Sequence, residues 1–207
     1  TQDNIQFSGS GDSLIITFGN QNDSIEIQGL IGLERRYIES FEFSDGTSMT
    51  IEQALSSMAL KGTENADTLK GTSADELIMA YGGDDTIKYS LGNDIIFAGD
   101  GNDTIQLADG TQIAYGEAGN DTIKAYRNGN HTFVGGAGDD HLETTIGGDD
   151  TYIFNLGDGH DTIIDINGED VIRFGEGITQ DNIQFSGSGN SLVITFGNQN
   201  DSIEIQG

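Results

Sequence analysis

The sequence predicts an all-β fold whose centre is a stack of short parallel strands. Three observations predict it. An acidic motif, with an apolar residue two positions after its aspartate, recurs about every nine residues between 61 and 175. Glycine is abundant, at 31 of 207 residues, while proline and cysteine are absent. The two ends of the chain are near-copies of each other, and both alternate apolar with polar residues at the period of a strand.

Residues 1–29 (TQDNIQFSGSGDSLIITFGNQNDSIEIQG) read as an antiparallel β-meander. Its apolar positions are Ile5 and Phe7, then Leu14, Ile16 and Phe18, then Ile25 and Ile27, separated by the polar turns SGSGD and GNQND. Residues 38–43 (IESFEF) read as a further strand ended by the Asp45-Gly46 turn. Residues 50–60 read as one short helix, because Thr50 and Gln53 have capping-box spacing and Ile51, Leu55 and Met58 share a face. Residues 179–207 repeat residues 1–29 at an offset of 178, differing only at Asp12/Asn190 and Ile15/Val193. That near-identity predicts one period of a longer tandem array, with neighbouring copies of the same module as partners. The expected organisation is an N-terminal meander cap and helix over 1–60, the short repeat over 61–175 and a C-terminal meander cap over 176–207. The meanders are expected to cover the exposed sheet ends of the stack.

The short repeat is anchored on Asp67, Asp75, Asp85, Asp94, Asp103, Gln112, Asp121, His131, Asp140, Asp150, Asp161 and Asp170. The apolar residues two positions later are Leu69, Leu77, Ile87, Ile96, Ile105, Ala114, Ile123, Phe133, Leu142, Tyr152, Ile163 and Ile172. Nine residues suit a glycine-rich turn of about six and a strand of about three, which is too short to stand alone. Stacked in parallel at about 4.8 Å, such strands form a sheet. Two nonapeptides, one per side, then close a coil of about 18 residues around a thin apolar core.

Composition narrows the function. The chain has 35 acidic and 8 basic residues, a formal charge of −27. Nucleic acid and anionic membrane both require a basic surface, so neither is an expected partner. No apolar run approaches the ~18 residues of a membrane span, so membrane insertion is not expected. A compact body with this charge repels itself, and divalent cations are the obvious neutralisers.

The pattern G-G-x-G-x-D-x-(apolar)-x resembles the repeats-in-toxin (RTX), haemolysin-type calcium-binding nonapeptide of secreted bacterial exoproteins. GGAGDDHLE (135–143) fits it throughout; GDGNDTIQL (99–107), GEAGNDTIK (116–124) and LGDGHDTII (156–164) fit most of it. Residues 168–185 resemble the cap that often follows such repeats. The resemblance implies a right-handed parallel β-roll with Ca²⁺ in its turns. It also implies export by type I secretion as an unfolded chain, followed by folding outside the cell or at the bacterial surface.

Residue chemistry adds its own argument. Calcium takes six to eight hard oxygens at about 2.3–2.6 Å. Glycines let a turn expose its carbonyls, and the closing aspartate adds charge. Because turns stack, one ion can lie between neighbouring turns of the same edge. The candidate ligands are Asp67, Asp75, Asp85, Asp94, Asp103, Asp121, Asp140, Asp150, Asp161 and Asp170, with the turns at Gly83, Gly92, Gly99, Gly101, Gly119, Gly136, Gly138, Gly148, Gly157 and Gly159. One edge carries Asp67, Asp85, Asp103, Asp121, Asp140 and Asp161, all aspartate. It is expected to hold a row of ions between 85/103, 103/121, 121/140 and 140/161, with 67/85 weaker. The other edge carries Asp75, Asp94, Gln112, His131, Asp150 and Asp170. There 75/94 and 150/170 are expected to bind, and the pairs involving Gln112 or His131 to be weak or empty. About five strong calcium sites are expected in all.

No enzymatic activity is expected. His131, His141 and His160 fall at three different phases of the repeat, and the chain contains neither an HExxH pattern nor a serine or cysteine nucleophile motif. Arg35, Arg36 and Tyr37 read as a solvated or salt-bridged patch. The expected function is a calcium-gated structural module of a large adhesin or surface protein. The alternatives are the same module in a secreted toxin or hydrolase, or direct binding of a glycan or cell-surface ligand through the meanders.

Overall fold

The computed structural model describes residues 5–10, 13–19, 23–28, 38–197 and 200–206; the Arg35, Arg36 and Tyr37 patch lies outside them. The centre is a parallel β-solenoid with two walls. The first wall stacks Leu60–Lys61, Leu77–Met79, Ile95–Asp100, Ile113–Ala118, Thr132–Ala137, Thr151–Phe154 and Val171–Phe174. The second stacks Thr68–Lys70, Thr86–Ser90, Thr104–Leu107, Thr122–Ala125, His141–Thr144 and His160–Ile164. The chain crosses between walls after every strand. Corresponding residues recur after 18 positions as far as Asp121, then after 19 at Asp140 and 21 at Asp161. The expected coil of about 18 thus holds in the first half, and later turns absorb extra residues.

The strands form because each places an apolar residue inward, with mostly polar residues outward along the second wall. Thr86, Thr104 and Thr122 stand in register, as do Ile87, Ile105 and Ile123 beside them. The threonines are half-buried and the isoleucines fully buried, the two-residue alternation of a one-sided sheet. Ile96, Ala114, Phe133 and Tyr152 occupy the corresponding inward column of the first wall. Phe133 and Tyr152 stack at 5.0 Å between ring centres. This core is narrow, and each fully buried aliphatic contributes only about 1.5–3 kcal/mol.

The N-terminal meander is antiparallel, in the order Ile5–Ser10, Ser13–Phe18, Asp23–Ile27. A hairpin of Ser40–Glu42 and Ser48–Thr50 follows, turning where Asp45 accepts hydrogen bonds from the Thr47 amide and hydroxyl. The helix is Ile51–Met58, and its capping box is formed: the Gln53 amide donates to Thr50 Oγ1 at 3.2 Å and the Thr50 amide to Gln53 Oε1 at 2.9 Å. Meander, hairpin and helix share a second core in which Leu14, Ile16, Ile51 and Leu55 meet Leu77 and Ile95. Leu77 and Ile95 precede the core residues Ile78 and Ile96, so they point to the outer side of the first wall. The N-terminal unit therefore lies against the flank of the solenoid.

The C-terminal meander sits differently. Its last strand, Asp201–Gln206, runs parallel to His160–Ile164 and extends the second wall by one strand. Ser191–Phe196 and Gln184–Ser188 then follow antiparallel. Ile194, Phe196 and Ile203 join the solenoid core, with Phe196 edge-on to Phe174 at 5.4 Å. This meander closes the end of the stack.

Candidate metal centre

Each aspartate of the first edge sits at the entry to a second-wall strand, where the chain leaves a glycine-rich turn. The ten turn glycines named above as candidates all have positive φ. Gly119 shows why the position excludes a side chain: at φ +133° a Cβ would overlap the Gly101 carbonyl one coil back. The turns are tied coil to coil by Gly101 N–H to Ala118 O at 2.8 Å and Gly119 N–H to Ala137 O at 2.9 Å.

The aspartates form a ladder of their own. The Asp67 amide donates to Asp85 Oδ1, Asp85 to Asp103, Asp103 to Asp121 and Asp121 to Asp140, each at 2.7 Å, and Asp140 to Asp161 at 3.0 Å. One carboxylate oxygen of Asp85, Asp103, Asp121, Asp140 and Asp161 is thereby used. The other, Oδ2, is buried without a hydrogen-bond partner at Asp85, Asp103, Asp121, Asp140 and Asp161. A buried, unsatisfied carboxylate oxygen is costly, and here five lie in one row at one phase of the repeat. Asp67 differs: the Thr63 amide and hydroxyl donate to its Oδ2 at 2.7 and 2.8 Å, so the first turn satisfies this carboxylate locally.

Burial pushes these acids upward, with the neighbouring carboxylates adding to it. Asp85 is raised; Asp103 and Asp140 reach about 6, Asp121 about 7 and Asp161 about 8. A row of buried oxygens, of which Asp121 Oδ2 faces Gly116 and Asp140 Oδ2 faces Gly135 in their own turns, disfavours ionisation until a cation arrives and fits a hard divalent ion. The chain's own residues that would hold it are these aspartates and the stacked turns.

The second edge departs from this pattern in three places. First, Asp75 is out of register. Leu77–Met79 pairs with Ile95–Asp100 as Leu77↔Ile95 and Ile78↔Ile96, so Glu76 occupies the position of Asp94. The Glu76 amide donates to Asp94 Oδ1 at 3.0 Å, whereas exposed Asp75 accepts the Asn93 amide on the outer side of the turn. Leu77 and Ile78 are both apolar, which allowed the repeat to be read one residue early. The partner that faces the solenoid core is Ile78, while Leu77 is buried on the outer side of the wall.

Second, Gln112 plugs its own position. Its Nε2 donates to Asp94 Oδ2 at 3.1 Å and its Oε1 accepts the Ala108 amide at 3.0 Å. A neutral amide thus satisfies the carboxylate. His131 lies next along the edge, 1 % exposed and edge-on to Phe133. Its Nδ1 accepts the Gln112 amide at 3.4 Å, and its Nε2 is buried without a partner. Burial pushes its pKa below the ordinary value, against a smaller opposing pull from the Arg127 carbonyl. It stands there as a neutral ring.

Third, Asp150 again carries a buried, unpartnered Oδ2, and burial raises its pKa to about 6. It has company that the repeat phase does not announce. Asp150, Asp165 and Asp170 bring one carboxylate oxygen each within 4.8 Å of one another. Asp165 is held by Thr144 Oγ1 at 2.9 Å and by the Tyr152 hydroxyl at 2.7 Å. Sequence reasoning missed Asp165 because it stands where the nonapeptide has its first glycine. Asp158 and Asp201 were missed as well. Burial raises Asp158 to about 6 beside Asp140 and Asp201, and Asp201 accepts the amides of Gly157 and Gly159 at 3.1 and 3.2 Å. The aspartate of LGDGHD was the available signal for Asp158; Asp201 gave none, since it lies in the meander.

Residues 61–96, 90–123 and 108–142 match the RTX calcium-binding nonapeptide repeat (4 copies). Residues 13–53 match the haemolysin-type calcium binding protein related domain. No curated protein matches the chain. Among solved structures, the crystal structure of extracellular lipase LipA from Serratia marcescens aligns at 19 % identity and a TM-score of 0.36, over 70 % of this chain. The chain spans 37 % of that lipase's length.

Proposed function

Since this chain carries the RTX calcium-binding nonapeptide repeats, we propose that it is a structural module whose solenoid folds on binding calcium outside the cell, in a large tandem-repeat adhesin or surface protein. The observation that carries this reading is the row of buried Oδ2 atoms from Asp85 to Asp161. Ions between 85/103, 103/121, 121/140 and 140/161, with one more at Asp150, Asp165 and Asp170, would make about five. Together they bring roughly +10 onto a chain of −27, at the places where carboxylates crowd. Calcium then does for these turns what hydrogen-bond donors do in ordinary ones. A site that exists only in the folded chain turns its binding energy into folding energy.

The near-identity of residues 1–29 and 179–207 supports the tandem arrangement. The module's task in that reading is rigid extension, not catalysis. The test is circular dichroism of the full chain during a calcium titration from excess chelator. The β-signal is expected to grow cooperatively with calcium; a signal already complete in chelator contradicts the proposal.

A further inference from the structure

A 29-residue segment occurs twice in this chain with two differences, and the described strands of its two copies are seated in two different ways. Its apolar face is built from one set of positions: Ile5, Phe7, Leu14, Ile16, Phe18, Ile25 and Ile27 in the first copy, with the same registers 178 residues later. In the first copy the helix and hairpin cover one part of that face. Leu14 is fully buried there, and Phe7 packs on Phe41 at 5.7 Å. Ile25 is 51 % exposed, Asp23 is exposed, and Asp23–Ile27 pairs with Ser13–Phe18 alone among the described residues. An apolar groove of about 420 Å³, lined by Ile5, Phe7, Phe18, Ile25 and Ile27 among others, lies open beside it.

In the second copy the exposures are reversed. Ile203, the counterpart of Ile25, is fully buried, and Asp201, the counterpart of Asp23, is 5 % exposed, because both sit on the last coil of the solenoid. What remains bare is Phe185 at 68 % and Leu192 at 43 %, the counterparts of Phe7 and Leu14. At Leu14 and Ile25 each seat thus covers what the other leaves exposed, while the central position, Ile16 or Ile194, is buried in both.

We infer that the open face of residues 5–28 is a docking surface for the C-terminal end of another copy's solenoid, so that one meander serves two modules. It caps the roll before it and anchors the hairpin and helix after it. The occupant of the groove is the last coil of a preceding copy, presenting the equivalents of Phe174, Ile178 and the His160–Ile164 edge. Asp23 then takes the amides that Gly157 and Gly159 donate to Asp201 here. Two partners on one sheet remove both the free strand edge and the bare aromatic, each a liability in an isolated module. This inference rests on the tandem part of the functional reading and not on its calcium part.

The test is a two-copy chain, residues 1–178 followed by residues 1–207, compared with the single chain in saturating calcium. In the single chain, Ile25→Ser and Leu192→Ser should shift the melting midpoint little, while Ile203→Ser and Leu14→Ser lower it by about 5–10 °C. In the two-copy chain, Ile25→Ser and Leu14→Ser at the junction should each be as costly as the buried cases. A neutral Ile25→Ser there overturns the capping, and a neutral Leu14→Ser overturns the anchoring. Should a serine variant fail to fold, cysteines replace it: His160→Cys in the first copy with Ser24→Cys in the second should form the cross-link that His160→Cys with Ser202→Cys forms in the single chain. Its absence contradicts the inference. A calcium midpoint recorded on the unsubstituted two-copy chain separates the readings, because loss of calcium dependence strikes the functional proposal and leaves the docking result standing.

Discussion

At the residue scale, register decides what an aspartate of the repeat can do. Asp121 has one oxygen in the ladder, one buried without a partner and a carboxylate on either side. It borders two of the proposed ions. Asp121→Asn is therefore expected to weaken calcium binding at least tenfold and lower the stoichiometry, by isothermal titration. Asp75→Asn, at an exposed outer position, should change neither. Gln112 and His131 are the reverse experiment. Gln112→Asp with His131→Asp removes the amide plug and the neutral ring, and is expected to add calcium; unchanged stoichiometry would count against ions shared between coils. The aspartate phase was legible in the sequence because Asp-x-apolar recurs where the turn meets the strand. The register at Asp75 was not, since Leu77 and Ile78 are equally apolar and only packing tells the outward one from the inward. Asp165 was hidden for a different reason. Its role depends on Tyr152 on the preceding first-wall strand and Thr144 one coil back, which the fold brings to it.

At the element scale, the turn is the unit on which the solenoid depends. Gly119→Ala meets both a forbidden backbone region and the Gly101 carbonyl, whereas Gly157→Ala meets only the former, with nothing within 4 Å of the added carbon. The first is expected to cost more than about 3 kcal/mol and the second about 1–2 kcal/mol, by denaturant unfolding in saturating calcium. Equal costs would mean that the stacked turns yield more easily than their spacing implies. The repeat strands, the meanders and the helix were readable from periodicity and capping; the second hairpin strand, Ser48–Thr50, was not, and Leu60, read as helix, opens the first wall instead. The seats of the elements were not readable: the two meanders are near-identical in sequence, yet the described strands of one lie on the flank of the first wall and those of the other extend the second. Local pattern decides what a segment becomes, and the surfaces available to it decide where it docks.

At the scale of the whole molecule, charge sets the conditions under which the fold exists. Asp103, Asp121, Asp140, Asp150 and Asp161 all have pKa values raised to between about 6 and about 8 by burial. Their folded values lie above the unfolded value near 3.8, so the calcium-free fold binds more protons than the unfolded chain. The contribution of these five groups to its stability is greatest below pH 4 and is lost progressively as pH rises from there through their folded values. Without calcium, the β-signal is expected to grow on acidification from pH 8 to pH 5, followed by circular dichroism. With calcium the order reverses, because protons and ions compete for the same oxygens: the apparent calcium affinity should fall over that range. A calcium affinity independent of pH would mean that the buried aspartates are not the ligands.

The most direct measurement is anomalous diffraction from crystals of the full chain grown in calcium. Peaks are expected about 2.3–2.6 Å from the Oδ2 atoms of Asp103, Asp121, Asp140 and Asp161, forming a row along the first edge. The Gln112 and His131 positions should show none. An intact solenoid with no anomalous density along that row would contradict the account.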